Sequence, residues 1–199
     1  MRVLILTPFY PSNIGGLETH LADLTRYLCG RGHKVWVVTY TPLTIWVKNV
    51  PCREVGENLD VYRLKWVGHG LFFTFEPHPL LQFPYLFPLF FHALFLTRKI
   101  RPDVIHAHGL VAALITKLIA KLWRARTVMS IHGIYGLERR PLLAKAVWWI
   151  LLSFDRVLAL SERSKRDFMD VGLSAERIWI CMQWVDQLGR FHHKALIFW

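Results

Sequence analysis

The chain has 199 residues, 53% of them apolar and 20% charged, with a formal net charge of +11. That length suits one domain with a sizeable core, and the composition excludes a disordered tail. The basic excess is spread over both halves instead of forming a run, which excludes a nucleic-acid tail and, with nine Trp and thirteen Phe, fits an anionic membrane face or phosphate-bearing ligands.

Short apolar runs alternate with helical patterns along the chain. Arg2–Thr7 reads as a strand and is followed by a loop, Pro8–Gly16. From Leu17 onward, Leu17, Leu21, Leu24 and Leu28 recur three to four residues apart, which predicts a helix with one apolar face, stopped by Gly30 and Gly32. Lys34–Tyr40 and Leu59–Lys65 read as strands, and Pro88–Ile100 as a helix ended by Arg101-Pro102. Asp103–His106 opens a fourth strand, Gly109–Trp123 a helix, and Thr127–Ile131 a fifth strand. Helix Pro141–Ser153, strand Arg156–Leu160, helix Ser161–Val171 and strand Arg177–Met182 complete the series. Strands alternating with helices predict an α/β fold: a Rossmann-like, doubly wound parallel sheet with flanking helices.

Pro77–Thr97 carries no formal charge over 21 residues, near the length of a membrane span. Pro77, Pro79, Pro84 and Pro88 interrupt it, so a buried helix beginning near Pro88 is the plain expectation. A patch lying in the membrane interface is the alternative. The amino-terminal run Met1–Pro8 is too short for a signal peptide. Cys29, Cys52 and Cys181 form neither a disulfide framework nor a zinc spacing, which points to the cytoplasm.

In open α/β sheets, ligands sit beyond the carboxyl ends of the strands. Polar and glycine residues gather at those ends here: Pro8–Gly16, Tyr40-Thr41, His106–Gly109, His132-Gly133 and Ser161-Glu162. Gly15-Gly16 lies at the mouth of the first helix, where free N–H groups suit a phosphate. A flexible turn explains the same pair, and the spacing is not the dinucleotide fingerprint. His106 and His108 flank Ala107 and fall on one side of a strand. They lack a third metal ligand, and buried imidazoles bonded to backbone explain them equally. His132, followed by Gly133, offers an imidazole with room for a ligand beside it. Glu18 and His20 occupy the first turns of the glycine-bearing helix, where Glu18 also suits the helix dipole.

Five stretches in order resemble one family. They are F-Y-P-S-N-I-G-G-L-E-T-H (Phe9–His20) running on to Val38, R-P-D-V-I-H-A-H-G (Arg101–Gly109), S-I-H-G (Ser130–Gly133), V-L-A-L-S-E (Val157–Glu162) and I-W-I-C-M-Q-W-V-D (Ile178–Asp186). Together they resemble the N-terminal domain of the retaining GT-B glycosyltransferases of the family 4 type, which includes phosphatidylinositol mannosyltransferases and sucrose-phosphate synthases. The resemblance implies one lobe of a two-lobed enzyme over residues 1–186, with a tail over 187–199 outside the family pattern. It implies transfer of a sugar from a nucleotide-sugar donor to an acceptor, lipid-linked in many members, on the cytosolic membrane face. It implies that Gly15 and Gly16 approach the donor diphosphate and sugar. His132 would then serve as the catalytic residue beside the reacting sugar, and Phe9, Glu18 and His108 would line the acceptor side. No cofactor and no catalytic metal are implied.

The pattern also departs from the family. Met182-Gln183-Trp184-Val185-Asp186 stands where a P-N-G-V-D-like turn is usual. The donor lobe's E-x7-E carboxylate pair does not occur in the 199 residues. Transfer chemistry needs positioning and diphosphate stabilisation from both lobes. The expectation is therefore an acceptor-side half that is inactive alone and completed by a separate donor-domain chain. A non-catalytic membrane- or glycan-binding module and a degraded remnant are the alternatives.

Overall fold

The computed structural model describes residues 1–43, 45, 47, 49–65, 83–131, 141–170 and 172–181. Its strands are β1 (Arg2–Leu6), β2 (Lys34–Tyr40), β3 (Arg53–Val55), β4 (Leu59–Leu64), β5 (Val104–His108), β6 (Arg126–Ile131), β7 (Arg156–Ala159) and β8 (Ile178–Ile180). The helices are α1 (Gly16–Gly30), α2 (Phe83–Ile100), α3 (Leu110–Trp123), α4 (Pro141–Leu151) and α5 (Glu162–Asp170). One sheet runs in the order β3-β4-β2-β1-β5-β6-β7-β8. Only β3 is antiparallel to its neighbour. The expected Rossmann-like parallel sheet is what the chain forms.

Strand alternation sorts the core into two halves. Val3, Ile5, Val35, Val37 and Val61 face α1 and meet Leu21, Leu24 and Leu28. Leu4, Leu6, Val38, Ile105, Ala107 and Met129 face the other way, toward Leu89, Ala93 and Leu96 of α2, Ile115 and Ile119 of α3, and Val147 and Leu151 of α4. Each fully buried Leu or Ile contributes about 1.5–3 kcal/mol relative to exposure. The side for each helix follows from right-handed crossovers. The β1-to-β2 crossover runs toward one edge of the sheet, and those carrying α2, α3 and α4 run toward the other.

Helix α1 ends as its glycine predicts. Gly32, at φ 77°, donates to the Cys29 carbonyl at 2.9 Å, and His33 donates to Leu28 at 3.0 Å. This Schellman pair turns the chain straight into β2. Helix α2 begins at Phe83, earlier than the expected Pro88, so Pro88 lies inside it. As the sixth helical residue, Pro88 lies beyond the four unpaired donors of the helix start and gives up the one bond its N–H would have made to the Pro84 carbonyl. Strand β5 runs two residues further than predicted, to His108, because β6 continues beside it as far as the His108–Ser130 pair. Strand β3 is unpredicted: all three of its residues are exposed, so it carries no alternation to read.

Candidate functional site

Parallel register puts the carboxyl ends of β1, β2, β5 and β6 at one edge. Leu6 pairs with Val38 and with Ala107, and Ala107 pairs with Met129. Residues 7–15, His108 and Ser130 therefore meet at that edge.

The loop from β1 to α1 is tied down along its length. Thr7 Oγ1 donates to the Phe9 carbonyl at 2.8 Å and accepts from the Phe9 N–H at 3.3 Å. The Tyr10 hydroxyl lies 2.9 Å from Thr25 Oγ1 in α1, and burial pushes its pKa up. Buried Asn13 accepts from the Leu43 N–H at 3.0 Å and donates to the Tyr10 carbonyl at 3.3 Å. From β4, buried Arg63 donates to the Pro11 carbonyl at 2.6 Å and to Pro51 at 3.4 Å, and it pairs with Glu54 at 2.8 Å. A guanidinium can serve three acceptors at once because its donors form a fixed fork.

Gly15 caps α1 in extended backbone, at φ 171°. The Glu18 carboxylate folds back over it, and a methyl built on Gly15 would meet Glu18 Oε2 at 2.5 Å. Glu18 is thus the third helical residue reaching back to its cap, with its charge at the positive end of the helix dipole. Gly16 differs: a methyl built there meets nothing within 4 Å. Among the described residues, nothing stands over the first helical turn on that side.

His106 and His108 share the α1 side of the sheet, as alternation predicts. Both are buried, with ring centroids 4.1 Å apart. His106 Nε2 lies 2.8 Å from Ser130 Oγ on β6. The His20 ring, from α1, stands 6.5 Å from that of His108. Burial lowers the His20 pKa below its ordinary 6.5, with Asp23 opposing, which favours the neutral ring. Among the described residues no three His, Cys, Asp or Glu side chains are grouped to hold a metal ion.

Of the residues singled out from the sequence, Phe9, Gly15, Gly16, Glu18 and His108 come to this one edge. His132 and Gly133 follow directly on β6 and lie outside the described residues. Ser161 is accounted for as the cap of α5, its hydroxyl accepting from the Ser164 N–H at 3.1 Å. The sequence reading missed Asn13 and Arg63, which hold the loop, and Ser130, which holds His106. Arg63 did carry a signal: it sits two residues from Val61, at an inward position of its strand.

The sequence profile of Glycosyltransferase Family 4 matches residues 14–186. The phosphatidylinositol N-acetylglucosaminyltransferase GPI3 subunit of Saccharomyces cerevisiae is 25% identical over 84% of this chain and 35% of its own length. The putative colanic acid biosynthesis glycosyl transferase WcaI of Escherichia coli is 25% identical over 98% of this chain and 53% of its own. The chain thus spans about a third to a half of these relatives. Among solved structures, Anabaena HepE in complex with UDP and glucose superposes with a TM-score of 0.62 at 17% identity, over 92% of this chain and 44% of that one. A sucrose-phosphate synthase structure from Thermosynechococcus elongatus gives 0.67 at 13% identity, over 94% of this chain and 91% of that one. With the family profile covering most of its length and a GT-B Rossmann-like sheet beneath, the chain belongs to glycosyltransferase family 4.

Proposed function

We propose that this chain is the acceptor-side lobe of a retaining glycosyltransferase that uses a nucleotide-sugar donor and a lipid-linked acceptor. The observation that carries it is that no described residue stands over Gly16, at a helix N-terminus, beside an edge where Phe9, Glu18 and His108 come together. Backbone N–H groups there suit a diphosphate or the hydroxyls of a transferred sugar. In this reading Gly15 and Gly16 meet the donor, His132 stands by the reacting sugar, and Phe9, Glu18 and His108 form the acceptor side. The lobe runs to Asp186, and the rest of the donor site comes from a second lobe, in the same polypeptide or in a partner chain. The relatives support this: the yeast protein is a phosphatidylinositol N-acetylglucosaminyltransferase subunit, and HepE binds UDP and glucose.

The ordering of the loop fits such a role. Groups held by Asn13 and Arg63 need little rearrangement when a ligand arrives, which limits the entropy lost on binding. Saturation-transfer NMR tests the reading with UDP-glucose, UDP-N-acetylglucosamine and a short-chain phosphatidylinositol offered to the 199-residue chain. Saturation of the sugar or inositol protons is expected, reduced in Gly16→Val. No saturation of any of the three would overturn it.

A further inference from the structure

We propose that the outer surface of the α2, α3 and α4 layer is a seat for an anionic lipid bilayer. It deepens the lipid-linked reading above by naming the surface that meets the membrane. The three helices lie side by side on one face of the sheet, so their outward rows share one solvent side. On α2 the row is Phe87, Phe91 and Phe95, which are 62%, 63% and 65% exposed. Their spacing of four keeps them on a single face. Leu118 and Leu122 of α3, Leu142 and Trp149 of α4, and Leu152 just past its end are also exposed. Lys117 joins the two last helices, its ammonium 3.2 Å from the centre of the Trp149 ring and bonded to the Trp149 carbonyl. A monomer in water rarely leaves so many large apolar side chains on adjoining helices.

Charge decides what covers them. The sequences of α2, α3 and α4 contain Arg98, Lys99, Lys117, Lys121 and Lys145, and no Asp or Glu. Lys99 continues the Phe87-Phe91-Phe95 row by one further step of four. By contrast α1, on the opposite face, mixes signs and pairs Asp23 with Arg26 at 2.7 Å. A second copy of this chain would bring five cations against five, which opposes self-association through this face. Aromatic rings sunk at the acyl boundary, with ammonium groups reaching anionic headgroups, satisfy both features. No described helix is long and apolar enough to cross a membrane, so this contact is one that lies on the surface.

Vesicle sedimentation with the 199-residue chain tests this. The vesicles are phosphatidylcholine alone, or with about one third phosphatidylserine to supply surface charge. Binding to the anionic vesicles is expected to be at least about tenfold stronger, and to weaken in high salt. Phe91→Asp with Phe95→Asp should lose at least about tenfold, while Phe91→Trp with Phe95→Trp should retain binding. Lys121→Glu with Lys145→Glu should remove the anionic preference. All these positions except the partly covered stems are exposed, and circular dichroism checks each variant's fold. Absence of binding to anionic vesicles, equal binding to both kinds, or unchanged binding by the folded Asp variant would overturn the proposal. Self-association without vesicle binding would assign the surface to a protein partner and overturn it as well. None of these readouts involves a nucleotide-sugar, so failure here is distinct from failure of the sugar site.

Discussion

The Glu18 carboxylate lies against Gly15, close enough that a single added methyl would stand 2.5 Å from Oε2. The neighbouring Gly16 has nothing within 4 Å of the same construction. Two adjacent glycines are thus glycine for different reasons: the first gives room to a side chain of the protein, and the second leaves room that no described atom fills.

That difference separates their substitutions. Gly15→Ala should displace Glu18 from the helix mouth and cost about 0.5–1 kcal/mol, the usual worth of a first-turn carboxylate. Gly16→Ala should leave stability unchanged or slightly raised, since Ala suits a helix better by up to about 1 kcal/mol. Urea unfolding of both variants checks this. Equal destabilisation by the two would contradict the assignment.

Arg63→Met should be among the most damaging single changes near the site. It removes bonds to Pro11 and Pro51 and the pair with Glu54. Losing the bonds of a buried guanidinium to these partly exposed carbonyls costs about 1.5–3 kcal/mol. Because the loop of residues 7–15 is what loosens, hydrogen exchange should rise there before it rises in β5 or β6.

Ser130→Ala should cost about 1–2 kcal/mol, because it removes the buried His106 to Ser130 contact at 2.8 Å. Ser130→Thr keeps a hydroxyl and should recover part of the loss. Thermal unfolding of the two variants side by side is the check.

Stability should fall as pH drops below about 6.5. Burial lowers the pKa values of His20, His33 and His92 from that ordinary value. The unfolded chain therefore takes up protons first, and the advantage of the folded state shrinks between 6.5 and the lower folded values. His20→Gln should flatten the pH dependence of the unfolding midpoint over that window. Asp103 works at more acid pH: its bonds to Arg2 hold its pKa below 3.8, so its contribution is lost only as pH falls through that lower value.

Much of the fold was legible because it rests on local pattern. Val35, Val37 and Val38, or Leu21, Leu24 and Leu28, show their period without any partner. Gly32 marked the end of α1 for the same reason. Strand β3 was not legible, because three exposed residues pair with β4 only through backbone bonds. The start of α2 was not legible either, because its prolines mask a helix that tertiary packing on β1 and β2 stabilises. At the site, Gly15, Gly16 and Glu18 announced a helix mouth. Arg63 and Pro11 are 52 residues apart in sequence, and nothing local joins them.

The proposed site puts the transferred sugar and its diphosphate at the edge bearing Gly16. Amide NMR of the 15N-labelled chain during titration with UDP-glucose or UDP-N-acetylglucosamine tests it most directly. Shifts are expected at Gly15, Gly16, Phe9 and His108, abolished in Gly16→Val while the remaining spectrum stays native. Shifts confined to another part of the sheet, or the same shifts persisting in Gly16→Val, would contradict it.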